Sequence, residues 1–518
     1  MAKPENLSDY VVILDFGSQT TQLIARRCRE LGVFSDIISH HTSAAEMTAI
    51  APSAIILSGG PASVYNGDAP DMDAGIFNLG IPILGICYGM QLGIRVLGGK
   101  VDAAQQREYG RAFLKIENPE KLFAGLPNSL EVWMSHGDKV HAITDRFMVL
   151  ARTDNCDYAA VKAKDRDFYG IQFHPEVSHT PDGVDILHNF LHNVSGCAGD
   201  WKIESFIDLA ITKIRRQVGD GQVVLGLSGG VDSSVAAALI HQAIGRQLVC
   251  IFVDNGVLRE GEFESVQKTF RDHFKINLHA VDAGGKFLTR LQGVTDPEKK
   301  RKIIGHTFIE VFKEEAQKIA NIRFLAQGTI YPDVIESAPP SKGPSASIKS
   351  HHNVGGLPAE LGFELVEPLR DLFKDEVRLL GKKLGLPPHL ISRHPFPGPG
   401  LAIRIIGEVT EERLKSLRRA DTIIVDEITK AGIYHDLWQA FGIFLPISSV
   451  GVMGDERTYE NTLAVRCISS VDAMTADWTY LPEKLMRTIS NRIINEVKGV
   501  NRVVYDISSK PPATIEWE

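Results

Sequence analysis

Short apolar runs rich in β-branched residues, each broken off at a glycine or polar residue and followed by a helical pattern, recur along most of this chain. YVVILDF (10–16), AIILSGG (54–60), IPILGICYG (81–89) and FYGIQFH (168–174) are such runs in the first 195 residues. QVVLGL (222–227), LVCIFVD (248–254) and IRFLAQGT (322–329) repeat the pattern further on. Strands covered on both faces read as continuous apolar runs, and intervening helices such as TTQLIARRCRELG (20–32) and MQLGIRVLGG (90–99) supply the crossovers. The expected class is therefore α/β, with mostly parallel sheets.

A chain of 518 residues exceeds what one core usually holds, so two or three domains are expected. VSGCAGDW (194–201) is small and glycine-containing and reads as a linker. It separates a first α/β domain over 9–199 from a second over 200–393. The stretch APPSKGPSASIKSHHNVGG (338–356) is rich in Pro, Gly and Ser and reads as a mobile loop, a candidate lid. Beyond RHPFPGPGLAIR (393–404) the pattern changes to a helical stretch and runs such as TLAVRCIS and VNRVVYDIS. A smaller α+β domain is expected over 394–518.

Composition narrows the setting. The formal net charge is −8 with no long basic run, which gives no electrostatic reason to expect nucleic acid or an anionic membrane as partner. Six scattered cysteines with no CxxC pair make neither a disulfide framework nor a zinc site. MAKPENLSDY has no apolar core, so no signal peptide is expected, and no stretch approaches the roughly 18–20 apolar residues that span a bilayer. A soluble, cytoplasmic protein is the expectation.

LGICYGMQL (84–92) places Gly-x-Cys-x-Gly between a strand and a helix. The glycines permit a tight turn that pushes the Cys87 thiol out at the strand's carboxyl end. The N-terminus of the following helix favours a thiolate, and the Tyr88 N–H can meet a developing oxyanion. His174 and Glu176, at the end of another expected strand, supply a base and its orienting acceptor. The glycine turn SGGPASV (58–64) offers a second oxyanion donor at Gly60. His136, in MSHGDKV, either frames a substrate pocket or is an ordinary histidine.

SGGVDSS (228–234) follows a buried strand and opens a helix, but it lacks the lysine of a Walker A loop. Successive N–H groups at Ser228, Gly229 and Gly230, the helix N-terminus at Val231, and the hydroxyls of Ser228, Ser233 and Ser234 make an anion nest. Asp232 would repel a bare phosphate; it either caps the helix or holds Mg²⁺ that neutralises the phosphates.

GICYG, FHPE and SGGP together resemble the class I glutamine amidotransferases, over roughly residues 9–195. That resemblance implies that Cys87 attacks a glutamine carboxamide and releases ammonia, with His174 and Glu176 completing the triad. SGGVDSS resembles the pyrophosphate loop of the ATP pyrophosphatases, whose fold is of the adenine nucleotide α-hydrolase type. It implies ATP cleavage between the α and β phosphates, with Lys374 in PLRDLFKDEVR as a pyrophosphate counter-charge. RHPFPGPGLAIR and SKPPATIEWE (509–518) resemble the glutamine-hydrolysing GMP synthase family, and this likeness runs over essentially the whole chain. It implies xanthosine 5′-monophosphate (XMP) as acceptor, Mg²⁺ with ATP, and nucleotide contacts from Arg301, Lys510 and Glu516. It also implies a C-terminal dimerisation domain and a homodimer. Glutamine-dependent NAD synthetase shares the pyrophosphatase loop, but it normally carries a Glu-Lys-Cys glutaminase instead of GICYG and FHPE.

Overall fold

The structure is a computed structural model and describes residues 8–337, 362–453, 456–470 and 475–518. The loop read as a lid, 338–356, lies outside the described residues. The chain divides into two compact units, Met1–Phe206 and Ile207–Glu518.

The first unit is built on nine strands. They are β1 (Tyr10–Asp15), β2 (Phe34–Ser39), β3 (Ala54–Leu57), β4 (Ile83–Ile86), β5 (Lys100–Ile116), β6 (Ser129–Ala142), β7 (Phe147–Arg152), β8 (Ala160–Ala163) and β9 (Phe168–Ile171). Their order is β2-β1-β3-β4-β9-β8-β7-β5-β6. The pairs from β2 through β9 are parallel, and those from β9 through β6 are antiparallel. The parallel half is the part legible in the apolar runs. Residues 10–14, 54–57, 84 and 168–171 are completely buried or nearly so, because helices cover both faces. The antiparallel half escaped the sequence reading because its long strands β5 and β6 mix charged and apolar residues without a continuous buried run.

The second unit carries two sheets. The first contains β10 (Gln222–Leu227), β11 (Leu248–Asp254), β12 (Asn277–Asp282), β13 (Ile322–Ala326) and β14 (Glu364–Val366), all parallel, in the order β12-β11-β10-β13-β14. From β10 the chain winds first to one side and then, after β12, to the other. The carboxyl ends of β10 and β13 therefore flank a topological switch point, where α/β sheets bind ligands. The second sheet holds β15 (Gln439–Met453), β16 (Glu456–Ser469), β17 (Asp477–Trp478) and β18 (Val500–Tyr505). β15 and β17 run antiparallel to β16, and β18 runs parallel to it.

One apolar core joins these two sheets. It takes Val224 and Ile251 from the parallel sheet, Leu463 and Val465 from the mixed one, and Ile493 from helix Glu483–Glu496. Between them lies helix Glu411–Lys430, whose Leu414, Leu417, Ile423, Ile424 and Ile428 are all fully buried. The spacing of those residues is that of one helix face. Thr410 caps this helix by accepting from the Arg413 N–H, and two glutamates in its first turn suit the dipole. Among the described residues no helix is long and apolar enough to cross a membrane.

Candidate functional site

Cys87 sits between β4 and helix Tyr88–Val96 with φ of 49° and ψ of −104°, a strained conformation for a residue with a side chain. The helix starts at Tyr88, two residues before the expected start, because the turn itself supplies its first N–H groups. Neighbouring backbone over-determines the turn. The Cys87 N–H donates to the Ile171 carbonyl at 2.8 Å, and the Gly89 N–H to the Ser58 carbonyl at 3.1 Å. A Cβ on Gly89 would lie 2.4 Å from the Leu57 carbonyl oxygen, so only glycine allows the elbow to seat against β3.

The His174 Nδ1 is 2.7 Å from Glu176 Oε1, which also accepts from the Thr20 hydroxyl at 2.6 Å. Glu176 is fully buried and its Oε2 has no partner among the described residues. Cys87 acts on the imidazole as well, favouring its charged form. Burial alone would push the imidazole down; Glu176 and Cys87 outweigh it and hold His174 protonated well above the ordinary histidine range. The Cys87 thiol donates to the Ser135 carbonyl at 3.7 Å. The glycine turn closes over this group. A Cβ on Gly59 would come within 3.1 Å of His174 Cε1, and one on Gly60 within 2.8 Å of the Phe16 carbonyl and 3.3 Å of the Tyr88 ring. Tyr88 occupies the first helical position, whose N–H has no partner within the helix. Cys87, His174, Glu176, Gly60 and Tyr88 are thus brought together. The His136 side chain lies outside the described residues.

Thr20, Gln172 and Gln91 complete this cluster and escaped the sequence reading. Thr20 carries no signal, being 156 positions from the carboxylate it orients. Gln172 did carry one: it stands two residues before His174 at the end of an extended run, and such positions share a face.

In the second unit the SGG turn follows β10 directly. Gly229 adopts φ of +71°, which requires glycine. The Ser228 and Ser233 hydroxyls lie 2.9 Å apart, the Ser228 N–H donates to Ser233 Oγ at 3.2 Å, and the Gly230 N–H donates to Ser228 Oγ at 3.3 Å. Helix Val231–Ile244 begins here with Gly230 as its N-cap, so Asp232 is not the cap. The Asp232 carboxylate instead receives Lys374 Nζ at 2.6 Å on each oxygen. Lys374 opens helix Lys374–Lys383, where the dipole disfavours a cation; Asp375, Glu376 and Asp232 offset this. Ser234 is buried and its hydroxyl has no partner among the described residues. The loop after β13 leans on the same helix start, since a Cβ on Gly328 would lie 3.0 Å from the Asp232 carbonyl carbon. Arg393 braces the turn from behind, donating to the Gly229 carbonyl at 3.1 Å while pairing with Glu262 at 2.6 Å. Of the three N–H groups expected to form the nest, those of Ser228 and Gly230 donate to the turn's own hydroxyls, so the N–H groups at the helix start, with the hydroxyls and Lys374, are what can cradle a polyphosphate. Asp232 fits the way proteins usually hold Mg²⁺, through one or two carboxylates plus substrate phosphates. Among the described residues no group of three or more His, Cys, Asp or Glu could hold a metal on its own.

The three residues expected to contact the nucleotide are instead engaged with the tail or belong to it. Glu516 accepts from the fully buried Arg404 at 2.8 and 3.0 Å and from Gln439 at 2.9 Å. Arg301 donates to the Glu518 carbonyl, beside Lys300, whose ammonium meets the Glu518 carboxylate. The backbone of Lys510 pairs with Ala476. Arg466, also fully buried, gathers the same tail by reaching Asp506 at 2.6 Å and the carbonyls of Ser508, Thr514 and Ile515 at 2.9–3.0 Å.

Comparison with known proteins follows the same division. Residues 12–194 match the family described as glutamine amidotransferase class-I, 203–303 that described as NAD synthase, and 426–517 that described as GMP synthase C terminal domain. The glutamine-hydrolysing GMP synthase of Brachyspira hyodysenteriae is 59% identical over 514 residues, covering 99% of this chain and 100% of that one. That of Solidesulfovibrio magneticus is 60% identical over 513 residues, with 98% and 99% covered. That of Oleidesulfovibrio alaskensis is 58% identical over 511 residues, with 98% and 99% covered. The NAD synthase match spans the 228–234 turn and strands β10 to β12, whereas 12–194 and 426–517 match the other two families.

Proposed function

The chain belongs to the glutamine-hydrolysing GMP synthase family, and from that premise we propose that it makes GMP from XMP, ATP and glutamine. The observation that carries the reading is the presence, in one chain, of a thiol–imidazole–carboxylate cluster and a separate anion nest at a switch point.

In the first unit Cys87, as thiolate, attacks the glutamine carboxamide carbon, and the developing oxyanion meets the N–H groups of Tyr88 and Gly60. His174 holds the thiol proton and delivers it to the departing nitrogen, which leaves as ammonia. Water then cleaves the glutamyl thioester with His174 as base. Glu176 keeps the imidazole in orientation and stabilises its charge, as the buried 2.7 Å contact supports.

In the second unit the purine O2 of XMP attacks the α-phosphorus of ATP, and pyrophosphate leaves into the 228–234 nest. Lys374 supplies positive charge to it, and Asp232 would hold Mg²⁺, which when bound neutralises phosphate charge. The adenylated oxygen is a leaving group, so ammonia at C2 displaces AMP and yields GMP. Arg301, Lys510 and Glu516 are proposed as nucleotide contacts. Glu516 would then share its carboxylate with Arg404.

The reading includes a homodimer. Ile447, Val450, Val452 and Tyr459 on the β15–β16 hairpin are 53–73% exposed, a cluster of apolar side chains suited to a second copy. A cytoplasmic setting accords with six unpaired cysteines. Sedimentation as a monomer at micromolar concentration would count against the dimer.

The decisive experiment mixes protein, ATP, Mg²⁺ and XMP with glutamine or with ammonium, and follows GMP, AMP and pyrophosphate. Cys87→Ala should abolish the glutamine reaction and retain the ammonium one. Asp232→Ala should abolish both. Loss of both in Cys87→Ala, or no GMP from the unaltered chain, refutes the assignment.

A further inference from the structure

Besides the Ser135 carbonyl, the Cys87 sulfur has a further hydrogen-bond neighbour. Gln172, fully buried just after β9, places its amide nitrogen Nε2 3.6 Å from Cys87 Sγ. In a side-chain amide, nitrogen and oxygen are told apart only by their partners, and here the partners decide the orientation. Gln91, also buried on helix Tyr88–Val96, lies 3.3 Å from the Asp138 backbone carbonyl and 3.2 Å from the Gln172 amide. A backbone carbonyl only accepts. The Gln91 atom facing it must therefore be the NH₂ group, and that same group faces Gln172. The Gln172 atom opposite it must then be Oε1, which leaves its NH₂ facing the sulfur. A backbone carbonyl 34 residues upstream thus dictates, through two glutamines, that the group beside Cys87 is a donor.

We propose that Gln172 is a hydrogen-bond donor to the Cys87 thiolate, held in the donating orientation by Gln91 and the Asp138 carbonyl. The thiol form satisfies itself by donating to the Ser135 carbonyl. Once the proton has gone to His174, that carbonyl offers the sulfur nothing, and the Gln172 N–H becomes its neutral donor alongside the imidazolium. A donor that strengthens when the acceptor becomes an anion favours the reactive form of the nucleophile. The inference rests on Cys87 being the glutaminase nucleophile.

Thiol reactivity tests it in the full chain without any substrate. Alkylation of Cys87 by iodoacetamide is followed across pH by mass spectrometry of its peptide, which separates it from the other five buried cysteines. Gln172→Met keeps the length and removes the donor. Its alkylation rate at neutral pH should fall about tenfold, while the plateau at high pH, where every thiol is ionised, stays unchanged. Gln91→Met leaves Gln172 in place but frees its amide to turn, so the same shift should appear at smaller size. If Gln172→Met does not fold, the Gln91→Met profile alone decides. A wild-type profile in whichever variants fold, or a fall in rate equal at all pH values, overturns the proposal. Because no GMP is measured, failure here is separate from failure of the proposed reaction.

Discussion

Lys374 and Asp232 stand 142 residues apart in sequence, and the lysine ammonium lies 2.6 Å from both oxygens of the aspartate. The pair joins the start of one helix to the start of another, at the mouth of the nest. Both side chains are partly exposed, so the pair itself adds little stability. In the proposed reaction it places one charge of each sign beside the polyphosphate and its cation.

Removing either charge should therefore affect chemistry far more than folding. Lys374→Met is expected to lower pyrophosphate release roughly 10²-fold or more, the usual scale for one lost electrostatic donor, with little change in thermal unfolding. Chelation of divalent cations should stop pyrophosphate release, and added Mg²⁺ should restore it. Asp232→Asn should shift the Mg²⁺ requirement upward. Pyrophosphate release insensitive to chelator would remove Asp232 from the role proposed for it.

His174 predicts a pH dependence. Its folded-state affinity for protons is raised by Glu176 and Cys87 against the effect of burial. The stability it contributes is fully present below the ordinary value of 6.5 and is lost as pH rises through the higher folded value. Glu176→Gln removes the main source of that rise. Denaturant titrations of the two proteins should diverge most in mild acid and converge in alkali. A difference that grows toward high pH contradicts the assignment.

His394 predicts the opposite trend in the second unit. It stacks on Tyr434 at 3.8 Å and its Nε2 donates to the Tyr434 carbonyl at 2.8 Å, while its buried Nδ1 has no partner among the described residues. Burial lowers its proton affinity from 6.5 to about 4. Between those values the unfolded chain binds a proton that the folded one does not, so stability falls as pH drops from about 6.5 toward about 4. His394→Asn should flatten that part of the acid-unfolding curve. An unchanged slope would mean that His394 is protonated in place.

Arg404 tests how the tail is held. It is fully buried, pairs with Glu516, and lies 4.0 Å from the centre of the Phe441 ring. Arg404→Met should cost about 3–5 kcal/mol, because Glu516 would lose its buried guanidinium partner, while Asp421 keeps Arg259 at 3.1 Å. Glu516→Gln placed in the Arg404→Met background should recover part of that loss. Calorimetry showing a loss under about 1 kcal/mol for Arg404→Met would mean that water replaces the guanidinium.

The extent to which the fold could be read in advance varies by element. β1, β3, β4, β9, β10 and β11 were visible because a strand covered on both faces must be apolar throughout. The two glycine turns were visible because close backbone approach excludes side chains, as at Gly89, and because left-handed backbone requires glycine, as at Gly229. β5, β6 and β7 were not visible, since strands that mix charged and apolar residues carry no continuous signal, and β8, though mostly buried, has only 4 residues. Single residues with distant partners were hidden for another reason: the order of the chain does not encode which hydroxyl meets Glu176 or which cation meets Asp232.

The sequence alone therefore determined which residue types stand at each strand end, and with them the chemistry on offer: a thiol, an imidazole, a carboxylate and a nest of N–H groups. Only the tertiary structure decided which of these meet. It put Thr20 on Glu176, Lys374 on Asp232, Arg404 on Glu516, and the donating side of Gln172 against Cys87. The reason is physical. Apolar periodicity and glycine conformations are local properties of the chain, whereas burial forces each polar group to find its partner from whatever the folding of distant segments brings within 3 Å.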